Sequence, residues 1–293
     1  MNDGTASFGI CQFTTLVASF EEDLDAYREA GVEGIGICEL KLKEGADGEL
    51  LAAFRRSGLA ATGCVPAIPS ILPLPLMPGP SDPAERVQAI RASIRRLAPF
   101  EPRAYVCLTG PRGTLAPEKA RWAVLAGLSA IAEEAVRLGI PVGLEPLNSS
   151  FQDDWTTITT ISEAVELLDD VGSEALGITF DIWHLWEAPG LYEDVERHGD
   201  RIVAVHVSDW REPTRSWCDR VLPGDGAIDL PAVFRALREA GWDGAYDLEI
   251  FSDNGTFGNA YPDSLWDVDA RELARRGREA FLACWEGARS GPG

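Results

Sequence analysis

The chain is short of positive charge and of long apolar runs, and it lacks the cysteine and glycine patterns of redox and dinucleotide sites; each shortage removes a class of function. Lys and Arg number 26 against 47 Asp and Glu, a formal net charge of −21, which repels a phosphate backbone and an anionic bilayer surface. Nucleic acid and membrane are therefore not expected as partners. No uninterrupted stretch of ~18 apolar residues occurs, so no segment reads as a membrane span. The opening residues Met1-Asn2-Asp3-Gly4-Thr5 lack the basic region and following apolar stretch of a secretory signal, and a soluble, cytoplasmic setting is expected. The six cysteines form no C-x-x-C pair. Cys11, Cys38, Cys64 and Cys107 fall in or beside apolar runs and read as small core hydrophobes. No G-x-G-x-x-G follows the first strand-like run, which counts against a doubly wound open sheet.

What is present is a regular alternation. Strand-like runs near 8–13, 33–38, 60–65, 103–108, 140–145, 176–181, 201–206 and 245–250 are each followed by a helical pattern, the signature of βα units around a parallel sheet. With 45% hydrophobic residues, 293 positions and no dividing linker, eight such units fit a single (β/α)8 TIM barrel, which leaves no sheet edge exposed. The expected organisation is a barrel over 1–286 and a flexible tail over 287–293. Ser19-Phe20-Glu21-Glu22 is a capping-box pattern that starts the first helix, and Gly31 stops it. A helix over about 117–138 is expected to bury Trp122, Leu125, Leu128, Ile131, Ala135 and Leu138, with Gly139 ending it. Arg28-Glu29-Ala30-Gly31 reappears as Arg238-Glu239-Ala240-Gly241, each copy feeding a strand. Two connections are long. One, 66–83, holds Pro66, Pro69, Pro73, Pro75, Pro78, Pro80 and Pro83 and suits a stiff rim or lid; the other runs from Ser208 to Asp229, where Asp229 reads as an N-cap.

Four of the apolar runs terminate on metal-ligand side chains: Glu145, Asp181, His206 and Glu249. Carboxyl ends of barrel strands share one face, so four such endings in succession converge as a divalent cation requires. Three carboxylates and one imidazole suit Mn²⁺, Mg²⁺, Co²⁺ or Zn²⁺. Such an ion with two open positions can chelate a carbonyl and an adjacent hydroxyl, acidifying the neighbouring C–H and stabilising an enediolate. His184, three residues past Asp181, is placed to donate to a substrate oxygen. Arg220 offers a fork of donors to a hydroxyl or phosphate oxygen. Trp183, Trp210 and Trp217 offer faces for a sugar ring, or else pack under the loops. His198 reads as a charge complementing a helix end.

These residues resemble those of the xylose isomerase-like TIM-barrel superfamily of sugar isomerases and epimerases, from Cys11-Gln12-Phe13-Thr14-Thr15 to the helix after Glu249. The segment from Trp217-Cys218-Asp219-Arg220 through Gly224-Asp225-Gly226 to Leu230 is similar to that following the histidine ligand in 2-keto-myo-inositol (inosose) isomerases. The resemblance implies a metal held by Glu145, Asp181, His206 and Glu249, the two glutamates as acid and base, and substrate contacts from His184 and Arg220. Ketose epimerases carry a further glutamate shortly after the first ligand. Here the matching stretch reads Asn148-Ser149-Ser150-Phe151-Gln152, so hydroxyl contacts on that side must differ. The expected activity is isomerisation or epimerisation of a small keto-sugar or keto-inositol, compatible with a homo-oligomer. Dehydration of an inosose and a non-catalytic, partner-dependent sugar-binding subunit are the alternatives. A trinuclear, histidine-rich endonuclease site is incompatible with three histidines and this charge.

Overall fold

A computed structural model describes residues 6–290 apart from 76 and 78; Pro78 of the proline-rich loop, Met1–Thr5 and Gly291–Gly293 lie outside the described residues. Eight parallel strands close into a barrel in the order β1-β10-β7-β6-β5-β4-β3-β2. They are β1 (Phe8–Cys11), β2 (Gly34–Cys38), β3 (Ala60–Val65), β4 (Tyr105–Cys107), β5 (Val142–Leu144), β6 (Leu176–Asp181), β7 (Ile202–Val207) and β10 (Tyr246–Leu248); β8 (Asp209–Trp210) and β9 (Arg220–Val221) form a separate antiparallel pair. The eight barrel strands fall at the eight expected runs, because strands buried on both faces are written as continuous apolar sequence.

Helices α1 (Phe20–Glu29), α2 (Asp47–Ser57), α3 (Pro83–Leu97), α4 (Pro117–Leu138), α6 (Ile161–Val171), α8 (Leu191–His198), α9 (Leu230–Glu239) and α10 (Ala270–Ser290) surround the barrel; α5 (Gln152–Trp155) and α7 (Ile182–Leu185) are single turns in loops. The capping box at Ser19 and Glu22 is formed. The two Arg-Glu-Ala-Gly copies end α1 and α9 alike: Gly31 and Gly241 adopt φ of 70° and 92°, and Val32 and Trp242 donate back to Tyr27 and Leu237 at 2.9 Å. Asp229 caps α9. All six cysteines are unpaired, five of them buried and Cys284 half-buried.

The inward face of α4 differs from expectation. Leu128, Ile131 and Ala135 are buried, but Trp122 is 73% exposed, and Ala120, Val124 and Gly127 take the barrel side. Small side chains set that contact; a methyl on Gly127 would lie 2.8 Å from Ile71. Residues 287–290, read from sequence as tail, form the last turn of α10, with Ala288 buried.

Candidate metal and active site

The four strand-end side chains meet. Glu145 follows β5, Asp181 closes β6, His206 is the penultimate residue of β7 and Glu249 follows β10. Asp181 registers against His206, so these two ligands sit at one level of the barrel, and Glu249 lies two residues beyond Asp247, which registers there as well. One donor atom from each of Glu145, Asp181, His206 and Glu249 lies within 4.8 Å of the others, all four residues being buried. Opposed ligands ~2.0–2.2 Å from an ion are ~4.0–4.4 Å apart, so closing on a cation takes a few tenths of an ångström. Nδ1 of His206 faces Glu249 at 3.4 Å and Glu145 at 3.8 Å, yet it is buried without a hydrogen bond. A buried imidazole nitrogen between two carboxylates with no hydrogen bond of its own fits the role of a cation ligand.

Arg220 joins the cluster. Its Nη1 donates to Asp181 Oδ2 at 2.8 Å and Glu249 Oε2 at 3.2 Å. Its guanidinium lies between the Trp183 and Phe251 rings, 4.7 and 4.9 Å from their centroids. Asp181 Oδ1 accepts from Trp183 N–H and so caps α7, which fixes the carboxylate with Oδ2 turned to the centre. The loop between β8 and β9 holds Arg220 in place. Asp219 receives Arg211 and Arg215, and Asp209 receives the backbone N–H groups of Gly224 and Ile228.

His184 Nδ1 accepts from Asn148 N–H at 3.2 Å, which leaves the proton of a neutral ring on Nε2. Burial and the Arg220 charge push its pKa well below the usual imidazole value, so the neutral form is the resident one. Nε2 lies 3.1 Å from Arg220 Nη2, and both line the floor of a cavity. The glutamates differ. Burial drives Glu145 up to about 7, whereas at Glu249 the charges of His206 and Arg220 outweigh burial and hold the carboxyl well below its ordinary value. Burial opposes the His206 imidazolium, but Glu249 and Glu145 overcome it and raise its pKa; burial raises Asp181 against the lowering charge of Arg220.

The cavity above the cluster measures about 300 Å³, with Glu145, His184, Arg220 and Glu249 at its floor. Trp217 lines it, while Trp183, read from sequence as a ring-stacking residue, is fully buried and supports Arg220 from below; Trp210 is likewise buried, against Trp183 at 4.6 Å. Phe13, Phe151, Trp155, Phe251 and Phe257 complete the aromatic wall. Sequence reasoning missed them because they come from three separate loops; the one available signal was the aromatic Phe151 beside the absent glutamate. The proline-rich loop contributes Ala67, Pro69 and Met77 to the rim and is pinned by buried Arg86, which donates to the Ser70 carbonyl at 2.8 Å. Beneath the cluster, Asp247 turns a carboxyl into the barrel; a methyl on Gly9 would lie 2.0 Å from it.

The xylose isomerase-like TIM barrel family matches residues 24–284. The inosose isomerase of Bacillus velezensis is 31% identical over 132 residues, 44% of this chain and 45% of that protein. The D-psicose 3-epimerase of Enterocloster bolteae is 27% identical over 162 residues, 54% of this chain and 49% of that protein. The matches therefore span less than half the length of these curated relatives. A Sinorhizobium meliloti 1021 protein of known structure superposes with a TM-score of 0.82 at 26% identity, covering 95% of this chain and 98% of that one.

Proposed function

The chain belongs to the xylose isomerase-like TIM barrel family, and from that premise we propose that it is a divalent-metal-dependent isomerase or epimerase of a keto-sugar or keto-inositol. The observation that carries the reading is the buried convergence of Glu145, Asp181, His206 and Glu249 at the floor of a cavity, with two hydrogen-bond donors beside it. The donor set, mostly hard oxygen with one imidazole, suits Mn²⁺, Mg²⁺, Co²⁺ or Zn²⁺. When bound, such an ion supplies Lewis acidity to a carbonyl and its neighbouring hydroxyl.

The chain's own residues account for the proton movements. Glu249, whose carboxylate accepts from Arg220, removes the proton α to the carbonyl; the C–H pair becomes the C=C bond of an enediolate and the carbonyl pair moves to oxygen. Arg220 and the Nε2–H of His184 donate to the oxygen that gains charge. Glu145, which like Glu249 faces His206 Nδ1, is placed to give a proton to the opposite face or the adjacent carbon. Return to the opposite face epimerises, and return to the other carbon isomerises. Trp183 acts from below as the support of Arg220.

The test is proton exchange. Metal-stripped protein reloaded with Mn²⁺ and incubated in deuterated water with inososes and ketohexoses is expected to incorporate deuterium α to the carbonyl, read by NMR. No incorporation with any of these or with simpler α-hydroxyketones contradicts the proposal, and a new ultraviolet-absorbing product without exchange assigns water loss instead.

A further inference from the structure

The walls of the cavity do not match a substrate that is polyhydroxylated throughout. Of the described residues lining it, only Glu145, His184, Arg220 and Glu249 carry charged or ionisable side chains, and all four are at the floor. Above them the lining is carbon: Phe13, Phe151, Trp155, Trp217, Phe251 and Phe257, interleaved with aliphatic side chains. The only other side-chain donors are the indole N–H groups of Trp155 and Trp217. The apolar character continues to the mouth, where Leu40 is 58% and Phe257 42% exposed. A sugar hydroxyl enclosed against such a wall loses its water and finds no partner, at a cost comparable to an unmade hydrogen bond. A hydrocarbon ring enclosed there gains from burial and from edge or face contact with the aromatics.

We propose that the substrate is sugar-like only at the end that meets the floor: a hydroxy-carbonyl compound whose remainder is an apolar, ring-sized aryl or alkyl group held by Trp155, Trp217, Phe251 and Phe257. The inference rests on the reading of the floor as a proton-transferring, hydroxy-carbonyl site and adds the chemistry of the rest of the molecule. The aromatic wall is ordered by mutual packing: Trp217 lies 5.0 Å from Trp155, 5.7 Å from Phe251 and 5.1 Å from Phe257 between ring centroids. Such a preformed surface loses little entropy on meeting a flat ligand. The stretch Asn148 to Gln152, where hydroxyl contacts were expected to differ, presents Phe151 to the cavity, so the side that lacks a carboxylate offers a ring instead.

Three α-hydroxyketones separate the terms: hydroxyacetone, which has the head alone; D-fructose, which adds hydroxyls; and 1-hydroxy-1-phenylpropan-2-one, which adds a phenyl ring. With Mn²⁺-loaded protein, kcat/KM for α-deuterium exchange is expected to be at least about ten-fold higher for the phenyl compound than for either of the others. In Trp155→Ala and Phe257→Ala the ratio of phenyl compound to hydroxyacetone falls at least about five-fold, circular dichroism confirming that each variant is folded. Calorimetric titration of metal-free protein gives a readout independent of turnover, in which the phenyl compound binds measurably and fructose does not. Fructose exchanging as fast as the phenyl compound, or a ratio unmoved in both variants, overturns this inference and leaves the proposed function standing. Absence of exchange with all three overturns this inference, and absence with the inososes as well overturns both.

Discussion

Arg220 is 2% exposed, an unusual position for a guanidinium, and four contacts explain it. Asp181 and Glu249 supply opposite charge, and the Trp183 and Phe251 rings present their negative faces above and below. The same side chain that lowers the cost of two buried carboxylates presents its second nitrogen beside His184, so one residue ties the ligand cluster to the donor pair. Away from the site, Asp23 gives a sharper test of buried charge. Its carboxylate is fully buried and accepts from Gln12, Thr15 and Lys41 at 2.6–2.7 Å, yet burial outweighs these partners and raises its pKa from 3.8 to about 6. A folded pKa above the unfolded one means that its contribution to stability is fully present below 3.8 and lost as pH rises through about 6. Comparing Asp23→Asn with wild type by chemical denaturation, we expect the variant to gain about 2 kcal/mol relative to wild type between pH 4.5 and 7.5. A difference independent of pH, or one of opposite sign, contradicts the assignment.

At the scale of elements, strands were easier to read than helices. Each barrel strand is a short apolar run, and its burial on both faces makes the sequence insensitive to which face points where. The helices must choose a face, and for α4 the choice rests on Ala120, Val124 and Gly127, whose small side chains give weak periodicity, while the large Trp122 points outward. Barrel strands carry a similar steric condition. A methyl on Gly177 would lie 2.4 Å from Val203 Cγ1 and 2.7 Å from the Arg201 carbonyl oxygen, and the backbone cannot yield as a side-chain tip would. Gly177→Ala is therefore expected to destabilise the fold by ~1–3 kcal/mol through overpacking, measured as a shift in denaturation midpoint at unchanged m-value. A neutral outcome would show that β6 and β7 separate more readily than their packing implies.

For the whole molecule, the ligands and the pocket above them were not equally legible. Glu145, Asp181, His206 and Glu249 could be picked out because each occupies the same place in a βα unit, so topology alone brings them together. The aromatic walls depend on the shapes of loops around 13, 151–155, 217 and 251–257, which no periodicity encodes. Trp183 and Trp217 show the difference: both are loop tryptophans in sequence, but one is sealed beneath Arg220 and the other lines the cavity. Among the described residues no helix is long and apolar enough to cross a membrane. The net charge of −21 surrounds a site whose floor is rich in carboxylates, which favours capture of a cation over an anion.

The proposed chemistry requires that floor to hold one ion. Calorimetric titration of metal-stripped protein with Mn²⁺ tests it most directly, run on wild type, His206→Ala and His184→Ala. We predict one ion per chain for wild type and for His184→Ala, and at least a ten-fold weaker affinity for His206→Ala. No saturable binding by wild type, or equal loss in the two histidine variants, would contradict the metal centre and the division of roles built on it.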